Sequence, residues 1–187
     1  GSANRDLALK WSNLNGASSA EVRFQLPSVD SFVAPAEMFR YAETSGYVET
    51  SKPEQSVFNR QGRYLVSVRA TRSEWNTDRA FVGHWSEPVE ITVKYQVDRV
   101  VADPQTSEIR WAEVPGASRY QIQITKVENG EVVTVLDRLT TEVNLLPDEP
   151  LPMDSYAVRI RAISPDGTIG YWSNTQNFYS RPRPVLI

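Results

Sequence analysis

Tyr64-Leu65-Val66-Ser67-Val68-Arg69-Ala70 and Tyr156-Ala157-Val158-Arg159-Ile160-Arg161-Ala162 are two versions of one heptapeptide, 92 residues apart. In each, a Tyr, two branched residues and an Ala occupy alternate positions. A period of two is the strand period, with one face buried and the other wet. Working outward, Trp11 and Gly16-Ala17-Ser18 recur 100 residues later as Trp111 and Gly116-Ala117-Ser118. Val22 and Phe24 correspond to Ile122 and Ile124 at the same offset, and Trp85-Ser86 returns as Trp172-Ser173 after 87. The offset only shrinks along the chain. That is the signature of a duplicated unit whose first copy carries insertions.

The rest of each copy keeps the strand period. Leu7, Leu9 and Trp11 alternate with Ala8 and Lys10, and Tyr120, Ile122 and Ile124 alternate with polar residues. Turn signals lie between: Asn15-Gly16, Pro115-Gly116, Asn129-Gly130 and Asp166-Gly167. Asn129-Gly130 separates Ile122–Val127 from Val132–Leu136 and predicts a two-residue hairpin. No long amphipathic helix is present; Glu37–Glu43 is the one segment that reads as a short helical turn. These patterns predict an all-β protein of two tandem antiparallel sandwiches, residues 1–96 and 97–187. Val93 should end one last strand and Val97 start the next first strand. The intervening Lys94-Tyr95-Gln96 has neither Gly nor Pro, which predicts a short, stiff connection.

At these residues the chain resembles tandem fibronectin type III domains, seven-stranded sandwiches of the immunoglobulin-like class. The likeness rests on Leu9-Lys10-Trp11 and Ile109-Arg110-Trp111, on the Gly-Ala-Ser turns, on the two heptapeptides and on Trp85-Ser86-Glu87-Pro88. It implies that Trp11 and Trp111 lie mid-core and that Tyr64 and Tyr156 make tyrosine corners. The Leu that the family places six residues before this Tyr is Phe58 in the first copy and Pro150 in the second. With Leu151 next door, that second corner is expected to be rebuilt. The first copy has little that could form a first strand, and Arg181–Ile187 reads as the start of a strand. Gly1-Ser2 has the character of an expression scar, and a fragment of a longer array is expected.

Composition excludes several kinds of chemistry. There is no Cys and one His, so disulfides, thiolate metal sites and a cysteine nucleophile are out of reach. Lys and Arg total 20 against 23 Asp and Glu, spread evenly, which argues against a nucleic-acid partner. No apolar run approaches the length of a membrane span, so no membrane insertion is expected. His84, Ser155 and Ser173 lack base partners in the pattern, and Asp148-Glu149 reads as solvated loop charge. No catalytic residue, cofactor or metal is expected, and the chain is read as no enzyme.

Two segments invite a contact role. The excursion from Asp30 to Gln55 carries Phe39 and Tyr41 and is too apolar for a plain loop; it should fold back as extra strand or cover, or bind a partner. Arg72–Gly83 should form the loop before the last strand, where Arg72, Trp75, Asn76, Arg79 and Phe81 mix cations, amide and aromatics as contact sites do. The equivalent Ser164–Gly170 is shorter and has no aromatic. The expected function is a non-catalytic extracellular spacer or adhesion module of a larger bacterial surface or secreted protein, monomeric in isolation. Its partner would be a protein or a glycan. The alternative is an accessory pair of a secreted carbohydrate-active enzyme. A hormone-receptor pair fits poorly, because its doubled Trp-Ser pattern and paired cysteines are missing.

Overall fold

The computed structural model describes residues 8–10, 16–17, 19–27, 37–43, 47–49, 58–73 and 80–182; at 8–10, 37–43, 47–49, 73 and 80 only the backbone is described. Trp11, Trp75, Asn76, Arg79 and both chain ends lie outside these residues. Every regular element among the described residues is a strand, so the all-β fold class holds. The strands are β1 (Ala8–Lys10), β2 (Ser19–Gln25), β3 (Glu37–Glu43), β4 (Tyr47–Glu49), β5 (Gly62–Ser73), β6 (Ala80–Val82) and β7 (Val89–Val93). They continue as β8 (Val101–Ala102), β9 (Ile109–Arg110), β10 (Arg119–Glu128), β11 (Glu131–Thr140), β12 (Asn144–Leu145), β13 (Ser155–Ile163) and β14 (Gln176–Tyr179). They fall into two compact units, β1–β7 and β8–β14, the short segment Arg60–Gly62 grouping with the second.

In the second unit, β12-β9-β8 form one antiparallel sheet and β11-β10-β13-β14 the other. Their inner faces share one core: Ile109, Trp111 and Leu145 meet Tyr120, Ile122, Ile124, Tyr156, Val158 and Ile160. That is a sandwich, and the alternation in the heptapeptide is its cause. Trp111 meets Tyr120 edge-on, centroids 5.5 Å apart, and its buried indole N–H has no hydrogen-bond partner among the described residues. The Asn129-Gly130 hairpin forms as a two-residue turn with φ of 52° and 84°, the primed geometry that matches strand twist. Val114-Pro115-Gly116-Ala117 closes with an Ala117 N–H to Val114 C=O bond of 3.0 Å and Gly116 at φ 85°, as a Pro-Gly turn requires. Gln61 is fully buried in this unit. Its amide donates to Ala162 O, Ser164 Oγ and Thr168 O and accepts from Tyr95 N–H, so its polar atoms are satisfied.

The corner before β13 is rebuilt around Leu151. Leu151 enters the core, while Pro150 stays exposed. Its backbone N–H donates to Ser107 Oγ at 3.0 Å and its carbonyl accepts from Ser180 Oγ at 2.6 Å. Tyr156 still makes the tyrosine corner, its hydroxyl donating to Pro152 O at 3.1 Å. The first strand starts later than the sequence suggested: Gln96 makes an isolated bridge to Tyr171, Val97 is buried in irregular backbone, and β8 begins at Val101.

In the first unit, β3-β2-β5-β6 form a sheet in which β7 also pairs with β5, and β1 pairs with β4. Val22, Phe24, Leu26, Tyr64 and Val66 form its core, joined by Phe58. Phe58 stands edge-on to both Tyr64 (4.9 Å) and Phe24 (5.8 Å). Glu37–Glu43 is not a helical turn. All seven of its residues pair in register with β2, from Glu37 opposite Gln25 to Glu43 opposite Ser19. The free edge of β2 offers a ladder that one local helical turn cannot match, and tertiary pairing overrides propensity.

Two outcomes follow for the second unit. Because the Trp111 indole bonds nothing among the described residues, Trp111→Phe is expected to cost about 1–2 kcal/mol in denaturant unfolding, against about 3–5 for Trp111→Ala. Between β8 and β9, Asp103 accepts the N–H groups of Gln105 and Thr106, and these hold its carboxyl below the usual range. The Arg110 guanidinium, bonded to Glu108, does the same there. Folded values below unfolded ones mean stability that is present above the unfolded carboxylate range and lost as pH falls through the folded values. Melting temperature should therefore drop on acidification, and Asp103→Asn with Glu108→Gln should flatten that dependence.

Candidate functional site

The described candidates lie on the first unit's larger sheet. Along β5, Tyr64 and Val66 are buried, Val68 and Ala70 half-buried and Arg72 exposed on the same face. The strand thus runs past the end of its core. Instead of the loop the sequence predicts, Thr71, Arg72 and Ser73 pair with Val82, Phe81 and Ala80, forming a hairpin arm. Arg72 and Phe81 are therefore directly opposite neighbours, and Phe81 is 56% exposed. Val82 is likewise exposed beside Thr71, whose hydroxyl bonds Ser19 Oγ at 2.5 Å. A Gly83 N–H to Ala70 C=O bond of 2.9 Å closes the arm's base.

Phe39 and Tyr41 do lie in an added strand. The register sets Phe39 opposite Arg23 and Tyr41 opposite Glu21, positions on the sheet's outer face. On that face two guanidinium groups lie over the Trp85 ring, Arg23 at 4.6 Å and Arg69 at 4.3 Å from its centroid. Glu21, itself buried, accepts from Arg69 Nε at 2.6 Å. The second unit repeats the arrangement, with Arg159 (4.5 Å) and Arg161 (4.4 Å) over the Trp172 ring. There the arginines donate to Gln123 and Gln121, which in turn donate to Asp137. Each such contact is worth about 0.5–1 kcal/mol at an exposed site. The arrangement orders cations on a sheet face and holds no nucleophile beside a base.

The sequence reading missed Arg23 and Arg69. It had a signal for one of them: Arg69 and Arg161 hold the same outward position in the repeated heptapeptide, each upstream of a Trp-Ser. Arg23 has Gln123 at its repeat position and gave none. His84 is exposed, and among the described residues no three potential metal ligands converge.

No family model matches the chain, and no curated protein matches it. Among solved structures, it aligns with the chicken CNTN1 FN1-FN3 domains over 97% of its length at 18% identity, with a TM-score of 0.37. It spans 63% of that structure's length.

Ser173 and Ser86 hold the two Trp segments. Ile160 N–H donates to Ser173 Oγ in a buried bond of 3.0 Å, and Val68 N–H donates to Ser86 Oγ at 3.0 Å in an exposed one. Ser173→Ala should therefore cost about 1–3 kcal/mol and speed hydrogen exchange at Ile160, since it strands a buried donor. Ser86→Ala should cost less, because water can reach Val68.

Proposed function

We propose that this chain is a non-catalytic binding module. It comprises two fibronectin type III-like domains in tandem within a larger bacterial surface or secreted protein. Its protein contact is made by the β5–β6 arm. The observation that supports this is Phe81, exposed and directly opposite the exposed Arg72. Aromatic residues and Arg dominate the energetics of protein contacts, and a paired strand presents them at fixed spacing. The second unit has at Ser164–Gly170 only a single antiparallel bridge, Ile163 to Ile169, around a tight turn with Gly167 at φ 82°. On this reading the first unit makes the contact and the second supplies reach.

The test replaces Phe81 with a photo-crosslinking benzoyl-phenylalanine and irradiates the full chain with extracellular protein; a glycan array is run beside it. A protein adduct that disappears in an Arg72→Glu background, with a blank array, is the expected result. An array signal lost in Phe81→Ala would move the contact to sugar and favour an accessory role beside a carbohydrate-active enzyme. Neither adduct nor signal would overturn the arm as a contact site.

A further inference from the structure

We propose that β11 is a self-association edge, at which two copies of this chain pair β11 to β11, antiparallel, about a two-fold axis. Among the described residues β11 is the edge of its sheet and pairs with β10 alone. It is ten residues long, and Val132 and Leu139 are 72% and 53% exposed along it, with Val133 and Val135 more than a third exposed. A long apolar edge strand is a template for another strand.

Charge selects the occupant. Glu131 sits directly opposite Glu128 in the hairpin, a like-charge pair that destabilises. Glu128 is already bonded to Lys126. Among the described residues Arg138 has one ion pair, with Asp148 at 3.8 Å, and Asp148 is almost fully exposed to water. Both Glu131 and Arg138 would gain from a better partner. The β-bulge lets each find the other in a second copy. Ile124 pairs with Leu136 but Thr125 pairs with Thr134, so Val135 is skipped. Through their β10 partners Glu128, Lys126, Ile124 and Ile122, Glu131, Val133, Leu136 and Arg138 then share one face. In an unbroken strand Glu131 and Arg138, an odd number apart, would fall on opposite faces and no two-fold could join them. A two-fold near Thr134 sets Glu131 against Arg138 twice and Val133 against Leu136 twice. On the other face Val132 meets Asp137, whose carboxylate is already held by Gln121 and Gln123.

The contact is weak and salt-sensitive, and the chain taken as a monomer from its sequence should dimerise as concentration rises. The test is sedimentation of the full chain up to ~1 mM, with Glu131→Arg, Arg138→Glu and the double variant. Each reversal should weaken association at least about tenfold, and the double should recover it, because the pairs re-form with opposite sign. Glu131→Arg also removes the repulsion with Glu128, so it should not unfold the hairpin, and a thermal melt checks that. A constant monomer mass, a dimer indifferent to both reversals, or a double variant that fails to recover would each overturn the proposal.

Discussion

A buried strand must find a partner for every backbone N–H and C=O, and the central strands β5 and β13 show how this chain meets that demand. β13 is covered on one side by β10 from Ala157 to Ile163. On the other side β14 reaches only Ser155–Val158. The next positions are completed piecemeal: Ser173 exchanges N–H to Ile160 C=O and Ile160 N–H to its own Oγ, and Gly170 N–H bonds Ala162 C=O. β5 is finished the same way, by Ser86 at Val68 and Gly83 at Ala70. The serine hydroxyl stands in for a carbonyl where the chain has left strand geometry. Leaving those donors unpaired would cost more than the bonds return.

Pinning that serine fixes the preceding tryptophan, and the tryptophan explains the outward arginines. A ring laid across a sheet face needs neighbours that stack, and guanidinium planes do so while keeping their charge near water. Each unit then neutralises its cations differently. Arg69 goes directly to Glu21, whereas Arg159 and Arg161 pass through two glutamines to Asp137 on β11. The second solution spans the outer face from β13 to the edge strand and holds Asp137 with two hydrogen bonds.

Much of this was legible in order and period. The heptapeptides named the central strands, and Asn129-Gly130 and Pro115-Gly116 named turns whose φ values only such residues take easily. What failed had no local signal. Glu37–Glu43 is compatible with helix in isolation, and only the open edge of β2 makes it a strand. Arg72–Gly83 read as a loop because Ala80-Phe81-Val82 is too short to show a period, yet three pairs to β5 suffice once β5 is already held. The rebuilt corner was expected from Leu151 beside Pro150, but not its fastening to two serines distant in sequence, Ser107 and Ser180, a contact no spacing rule contains. Of the contact candidates, Arg72 and Phe81 came together; Trp75, Asn76 and Arg79 lie outside the described residues.

The two copies agree at the centre of the sheet and diverge at its periphery, and the physics of a sandwich requires that order. A change at Tyr64 or Tyr156 disturbs a core, whereas an added strand at an edge needs only free backbone groups to pair with. The first copy used that freedom after its central strand, extending β5 beyond its core and pairing it with β6. The second kept the tight Ser164–Gly170 turn and lengthened β10 and β11 to ten residues each. Each extension carries apolar side chains past the point where the opposite sheet can cover them: Phe81 and Val82 in one, Val127 and Val132 in the other. Neither pair adds to its own core, so the edges of a sandwich can lengthen without disturbing its centre.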